Sequence, residues 1–172
     1  TLYELEKSLD AIRIDRDLYI TSKRLNASGL RKEKLVEYRD AVFAFAAQME
    51  YFTLPQIRLA GFNHPLEEYS FNDTFYERII WSHPEIRSIH MASHIIFNTS
   101  SSEANFTSFI HYIMSKSIQM DLYTFIQKIY REYKINLNPH KLVEIVNNSS
   151  MYYSAEMERI YLNKDAFYKD IY

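Results

Sequence analysis

This sequence has no cysteine and very little glycine. Its 172 residues include 2 glycines and no cysteine, whereas an ordinary glycine usage of about 7% would supply roughly a dozen glycines. Gly29 and Gly61 lie too far apart to form either a GxGxxG or a GxxxxGK[ST] phosphate loop. Without cysteine the chain has no disulfide, thiol nucleophile, iron–sulfur ligand or cysteine-bearing zinc finger. Glycine-rich phosphate loops and thiol chemistry are therefore excluded.

Long hydrophobic runs are also missing. The longest apolar stretch, residues 41–47, is too short to cross a bilayer, and the start at Thr1 shows no basic segment followed by an apolar one. We therefore expect no signal peptide, no membrane partner, an intracellular location (cytoplasmic or nucleoid-associated) and a fragment of a longer protein. The 47% of hydrophobic residues is ample for a buried core.

One pattern recurs along the chain: a helix, a second helix that ends in a polar turn, and two strands. Its clearest copy spans residues 122–168. The first helix has apolar residues at three- and four-residue spacing, namely Leu122, Phe125, Ile126, Ile129 and Tyr133. Asn138-Pro139 predicts the start of the second helix, because Asn caps helices and Pro suits their first position. Residues 151–154 and 159–162 are the expected strands.

A middle copy follows the same order. A helix beginning at residues 71–73 would face Phe75, Ile79 and Ile80 inward, end at residues 82–84 and lead into a hairpin that turns at residues 91–93. Near the amino end, residues 3–8 and 12–20 have two interpretations. They are either the last helix and hairpin of a further copy, or a lone hairpin that packs onto the middle unit.

Two further helical segments lie between these copies, at residues 32–50 and 106–119. The apolar residues 41–47 predict that the second half of the first segment is buried. The second segment is predicted to be a core helix with five inward side chains, Phe106, Phe109, Ile110, Ile113 and Met114. The polar residues 100–103 form the expected domain boundary. We therefore divide the chain into residues 1–21, 22–100 and 101–172.

This order of elements resembles the winged-helix superfamily, over residues 41–99 and 106–168. The resemblance rests on element order and identifies no particular family. It implies an α+β, mostly helical chain of tandem winged-helix-like units, each with helices plus a two-stranded β-hairpin. It also implies that the second helix of each turn enters a DNA major groove, in a DNA-binding or transcription-associated module.

Charge is distributed unevenly and points to two regions for nucleic acid. Residues 21–60 carry seven basic and four acidic side chains, residues 61–100 carry two and five, and residues 101–172 carry eight of each. The positive charge of residues 21–60 predicts contacts with phosphates. The hydrogen-bond donors on the second helix of the copy at residues 122–168 predict contacts with base edges. The expected contact residues with double-stranded DNA are Lys23, Arg24, Arg31, Lys32, Lys34, Lys128, Arg131, Lys134, His140, Lys141, Asn147 and Asn148.

A protein-interaction scaffold is the alternative from another functional class. The net charge of −2, the acidic middle unit and the 15 Tyr, 11 Phe and 1 Trp favour it. Tyr152, Tyr153 and Tyr161 can either stack on bases or pack within the last hairpin. Trp81 is interpreted as a buried anchor.

Catalytic and metal sites have weaker support. His90 and His94 have the i, i+4 spacing of zinc ligands on a helix, but their segment is predicted to be a hairpin. A small metal-dependent enzyme that uses His83, His90 and His94 is the third alternative. No serine occupies a nucleophile-elbow sequence, and Glu67 and Glu68 are interpreted as solvated loop charges. We therefore expect a non-catalytic chain with no metal and no cofactor.

Overall fold

The computed structural model describes residues 1–100 and 103–172. Ser101 and Ser102, in the middle of the predicted boundary loop, lie outside the described residues. The chain has a mixed α+β fold, as the sequence predicts. It divides into two compact units, unit 1 (Thr1–Ser102) and unit 2 (Glu103–Tyr172).

Unit 1 combines five α-helices and a 3-10 helix with two small antiparallel sheets, within the described residues. The helices are α1 (Leu2–Lys7), α2 (Ser22–Ala27), α3 (Lys32–Phe45), α4 (Leu54–Leu59), the 3-10 helix Pro65–Tyr69 and α5 (Asp73–Trp81). The strands are β1 (Ala11–Asp15), β2 (Leu18–Thr21), β3 (Tyr51–Phe52), β4 (Arg87–His90) and β5 (Ile95–Asn98). β1 pairs with β2, and the second sheet has the order β3-β5-β4.

Unit 2 is built around one sheet. Its elements are α6 (Phe106–Ser115), β6 (Gln119–Asp121), α7 (Leu122–Tyr133), α8 (Pro139–Asn147), β7 (Tyr152–Ser154), β8 (Arg159–Tyr161) and α9 (Lys164–Ile171). From α6 to β8 it has the order of helices and strands that unit 1 has from α3 to β5, without the 3-10 helix. All strand pairs are antiparallel, and the sheet order is β6-β8-β7. No helix among the described residues is long and apolar enough to span a membrane.

The sheets that contain the two predicted hairpins differ from expectation in having a third strand each. β3 and β6 pair with β5 and β8, the second strands of the two predicted hairpins. They contain only two and three residues, which is too short for an alternating pattern to be recognised in the sequence. The prediction of two-stranded hairpins is therefore incomplete in both units.

Polar side chains begin most of these helices. Asn72, Asn105, Asn138 and Asn163 each accept a hydrogen bond from a backbone N–H in the first turn of α5, α6, α8 and α9. Such caps satisfy donors that have no partner within the helix. Asparagine thus caps the helix before and the helix after the β4–β5 and β7–β8 hairpins along the chain.

The core of unit 1 forms between α3, α5 and the second sheet. Phe75, Ile79 and Ile80 are buried, as the periodicity of α5 predicts. In α3, however, only Val42 and Ala46 of residues 41–47 are buried, and Phe45 is 37% exposed. The expectation that this whole stretch is buried is wrong, because a helix on a core turns only one stripe of residues inward.

A polar network crosses the same unit. The Tyr38 hydroxyl donates to Glu67 Oε1 at 2.8 Å, Arg58 Nε donates to Glu67 Oε2 at 2.9 Å, and Arg58 Nη1 donates to Asp73 Oδ1 at 2.7 Å. Burial raises the pKa of Tyr38 well above its usual value, so the phenol stays a donor. Glu67, expected as a solvated loop charge, instead joins α3, α4 and the 3-10 helix.

The N-terminal segment packs onto α5. β1 lies against this helix, Asn72 Nδ2 donates to the Ile14 carbonyl at 2.6 Å, and Lys7 Nζ donates to the Trp81 carbonyl at 2.7 Å. Trp81 is half-buried rather than a buried anchor: Lys7 Nζ lies 3.8 Å from its ring centre, and the Tyr3 ring meets it edge-on at 5.7 Å. The outward side of α5 is therefore covered.

The core of unit 2 is built from α6, α7, α8 and β8. Phe109, Ile110, Ile113 and Met114 are buried, which confirms α6 as a core helix. Phe106, the fifth side chain predicted to face inward, is half-buried, and the helix ends at Ser115, earlier than predicted. Further core side chains come from the predicted stripes, from β8 and from the segments that precede α8 and β7: Leu122, Phe125, Ile129, Tyr133, Ile135, Leu137, Leu142, Val146, Met151, Ile160 and Tyr161.

Candidate nucleic-acid interface

The cations predicted in unit 1 fall into two groups. Lys32 pairs with Asp10 at 2.8 Å, and Lys34 pairs with Glu37 at 3.0 Å. Lys23 and Arg24 on α2, and Arg31 at the start of α3, are exposed and have no described ion pair. A shallow concavity of about 270 Å³ beside them is lined by Ser22, Lys23, Asn26, Lys32 and Glu33. The structure thus leaves three of the five predicted side chains as unneutralised surface charge.

The predicted cations of α7 form a different group. Arg131 is exposed, Lys128 is half-buried, and Lys134 ends the helix in a left-handed conformation with φ 60°. Lys134 Nζ lies 5.4 Å from the Tyr130 ring centre. Among the described residues no carboxylate forms an ion pair with any of the three. They lie in the last turns of the helix and just past them, where the helix dipole favours positive charge.

The exposed face of α8 carries the four remaining predicted residues. Asn138 Oδ1 accepts the His140 and Lys141 N–H groups at 2.9 and 3.3 Å, which fixes the start of the helix. Leu142 and Val146 point into the core, and the opposite face exposes His140, Lys141, Glu144, Asn147 and Asn148. These positions recur at three- and four-residue spacing, so they share one face.

One acidic side chain interrupts that face. Lys141 Nζ lies 3.6 Å from Glu144 Oε2, and both side chains are more than 60% exposed. Pairs of this kind contribute about 0–1 kcal/mol, so Lys141 remains able to exchange Glu144 for a phosphate oxygen. The donors on α8 are therefore pre-positioned but only weakly engaged.

The turn between β7 and β8 is acidic. Glu156 and Glu158 are exposed there, and Glu158 has a left-handed backbone with φ 49°. Arg159, just beyond the turn, donates to Gln119 Oε1 at 2.9 Å. This end of the sheet therefore repels phosphate, whereas the end of α7 attracts it.

The helix of unit 1 that corresponds to α8 is α5, since each directly precedes the outer hairpin of a three-stranded sheet. Unlike α8, α5 is covered by β1 and by the Lys7 and Asn72 hydrogen bonds described above. The two units therefore differ in which helix face remains exposed.

The three histidines of the metal hypothesis serve separate contacts. His83 stacks on Phe43 at 4.2 Å, His90 Nε2 lies 3.2 Å from Ser88 Oγ, and His94 Nδ1 lies 3.6 Å from Glu77 Oε2. Burial lowers the pKa of His83 and of His90. Within residues 1–100 and 103–172, no three His, Asp or Glu side chains come together as potential metal ligands.

Two of the three tyrosines of the last hairpin, Tyr152 and Tyr161, pack against α9. Tyr161 is fully buried, and its hydroxyl donates to Asp170 Oδ2 at 2.8 Å. Tyr152 is half-buried against Phe167, with ring centres 4.7 Å apart. Two residues that the sequence did not single out, Tyr123 and Tyr130, are instead the half-exposed aromatics of α7, at 51% and 50%. Their seven-residue spacing on a helix face was the available signal.

Comparison with protein-family models, with curated proteins and with solved structures gives no match. Function therefore has to be argued from the geometry of this chain.

Proposed function

We propose that this chain is a non-catalytic, intracellular DNA-binding module, transcription-associated, built from two tandem winged-helix-like units. In unit 2, α8 would enter the major groove, and the end of α7 would contact phosphates. The order α6, β6, α7, α8, β7, β8 and the sheet order β6-β8-β7 support this assignment, because a helix-turn-helix followed by a hairpin is the winged-helix arrangement.

The order of elements in unit 1 supports the tandem arrangement, but its covered second helix favours a role in DNA binding different from that of unit 2. Apart from the 3-10 helix between α4 and α5, the elements of unit 1 follow the same order from α3 to β5, with the corresponding sheet order β3-β5-β4. Its second helix, α5, is covered and carries Asp73 and Glu77 beside Arg78. The exposed Lys23, Arg24 and Arg31 would add phosphate contacts from this unit without base contacts.

A single observation carries the proposal: the uncovered polar face of α8 lies just after three cations that have no described ion pair. The loop between α7 and α8 is short, running from Lys134 to Asn138. A helix-turn-helix uses such a geometry to place one helix against base edges and the other across the backbone.

The test is a fluorescence-anisotropy titration of the full chain with duplex DNA at 50 and 200 mM salt. Binding that weakens steeply with salt is expected, because each phosphate contact releases counterions. Arg131→Ala should weaken binding about equally for all sequences and reduce the salt slope by about 1. Lys169→Ala, which removes an exposed lysine of α9, is the matched control and should change neither. Absence of binding at 50 mM salt, or binding without salt dependence, would contradict the proposal.

A protein-interaction scaffold is the second candidate, and one surface favours it. Leu2, Tyr3 and Leu5 of α1 are 46–60% exposed, and clustered exposed apolar side chains are typical of protein contacts. A scaffold would show no salt-dependent binding to DNA, and Arg131→Ala would leave its partner binding unchanged. Leu5→Ser, in contrast, would weaken the association.

A further inference from the structure

A cleft of about 140 Å³ lies between α5 and the β4–β5 turn of unit 1. At about 30 Å³ per water, it has room for about four waters or for one small ion. Polar side chains from both elements line it: Thr74, Glu77, Arg78, His90, Ser93 and His94. None of these residues belongs to the DNA interface proposed above.

Arg78 is the unusual member of this lining. Its side chain is 16% exposed and its Cζ lies 5.3 Å from the Trp81 ring centre, but among the described residues its guanidinium has no hydrogen-bond acceptor. Glu6 Oε1 lies 4.0 Å from Nη1, beyond hydrogen-bond distance. A guanidinium carries five N–H donors, and none of those of Arg78 is among the fully buried atoms that lack a partner. The cleft is therefore lined by a guanidinium whose donors are open to solvent and have no described protein acceptor.

Other groups around the cleft are unsatisfied as well. His94 Nδ1, in the lining of the cleft, and Arg13 Nε, on β1 and not part of that lining, are buried without a hydrogen-bond partner. The pKa of His90 is lowered by burial first and then by the charges of Arg78, Arg13 and Lys7. Glu6 Oε1 lies 3.8 Å from Arg13 Nε and 4.0 Å from Arg78 Nη1, so two of these cations share one carboxylate.

Glu77 is the acidic group on the cleft floor. Its Oε2 accepts the Ile95 N–H at 2.7 Å, which fixes the carboxyl against β5. Burial, the largest effect, raises the pKa of Glu77 to about 7, so the group is largely neutral at mildly acidic pH. Under those conditions it does not repel an anion held by Arg78.

We propose that this cleft binds a small oxyanion, a carboxylate or phosphate group, on the Arg78 guanidinium. The planar fork of N–H groups matches such an anion in a bidentate manner. The hydroxyls of Thr74 and Ser93 and the ring of His90 supply further donors from the two walls. The site stands independently of the DNA-binding proposal, because it uses other residues of the other unit.

The experiment is a calorimetric titration of the full chain at pH 6.5 with sodium phosphate and, separately, with sodium acetate, each against an ionic-strength-matched chloride background. Saturable binding of at least one anion is expected. Arg78→Gln should weaken it by about tenfold or more, since hydrogen bonds to charged groups contribute about 1.5–3 kcal/mol. Arg87→Gln, which removes an exposed arginine of β4, is the control and should leave it unchanged.

Absence of saturable binding of either anion to the wild-type chain would overturn the proposal, as would equal effects of the two variants. If Arg78→Gln fails to fold, the amide chemical shifts of the wild-type chain decide whether the anion binds in the cleft. Phosphate or acetate must shift the Thr74 and Ile95 amides when chloride does not, and shifts confined to α2 would refute the site.

Repeating the DNA titration with Arg78→Gln identifies the source of the anion. Lower DNA affinity would assign the oxyanion to a backbone phosphate, and unchanged affinity would assign it to a free ligand. If the wild-type chain does not bind DNA at all, the proposed function is wrong, but the oxyanion site is not affected by that result.

Discussion

Glu77 shows how one buried carboxyl couples unit 1 to pH. It lies on α5 with 4% exposure, between the core residues Tyr76 and Ile79, and it accepts the Ile95 N–H. Loss of hydration on burial favours the neutral acid, which raises the pKa of Glu77 from 4.5 to about 7. The folded chain therefore holds this proton more tightly than the unfolded chain does.

This raised pKa predicts a pH-dependent stability. The contribution is fully present below pH 4.5 and is lost as the pH rises through about 7, so the wild-type free energy of unfolding falls between pH 5.5 and 8 by about 2 kcal/mol from this group. Glu77→Gln keeps an oxygen for the Ile95 N–H and removes the titration. Urea denaturation in chloride buffer should show the variant to be the more stable protein at pH 8 and less dependent on pH. Parallel pH curves for the two proteins would contradict this assignment.

At the scale of single residues, the sequence predicted inward positions better than polar contacts. Phe75 and Ile79 follow from helical spacing alone. The contacts of Arg78 and Trp81 do not, because Glu6 and Lys7, their partners, lie about seventy residues earlier in the chain. A charge count treats Arg78 as an ordinary surface cation, whereas the fold encloses it.

Helices were predictable where the sequence shows both a capping residue at the start and a clear stripe of apolar residues. α7, α8 and the hairpin β7–β8 follow from the Leu122–Tyr133 stripe and from Asn138-Pro139. α4 was missed although Thr53 and Gln56 form a capping box, because six residues are too few to show a helical stripe. The covering of α5 by β1 depends on tertiary packing, which local patterns do not encode.

The cap of α8 provides a prediction for one element. Asn138→Ala removes the acceptor for the His140 and Lys141 N–H groups and should cost about 1 kcal/mol of stability. Because both residues lie in the first turn of the proposed recognition helix, fraying of that turn should also weaken binding to duplex DNA. Urea denaturation and fluorescence anisotropy measure the two effects.

The control is a cap of the same type outside the interface. Asn163→Ala removes the acceptor for the Ala166 N–H at the start of α9 and should cost a similar amount of stability. It should leave DNA affinity unchanged. Equal losses of affinity in the two variants would mean that stability, and not the position of α8, governs binding.

At the scale of the whole molecule, the net charge of −2 conceals how the charges are paired. In unit 1 Arg58, Lys32 and Lys34 are neutralised by nearby carboxylates. In unit 2 the α7 cations have no described ion pair, while Glu156 and Glu158 concentrate negative charge at the hairpin turn. The sequence supplied the totals, and only the fold separates an attractive end of unit 2 from a repulsive one.

This separation predicts that the β7–β8 turn limits DNA affinity. The double substitution Glu156→Lys and Glu158→Lys should raise affinity at 50 mM salt by about tenfold and steepen the salt slope by as much as about 2, because each new phosphate contact releases about one counterion. Asp15→Lys with Asp17→Lys makes the same change of charge in the β1–β2 turn of unit 1, where both side chains are exposed. If the control pair strengthens binding equally, net charge rather than the hairpin of unit 2 controls affinity. If neither pair changes the titration, the β7–β8 turn lies away from the DNA, and α7 and α8 alone form the interface.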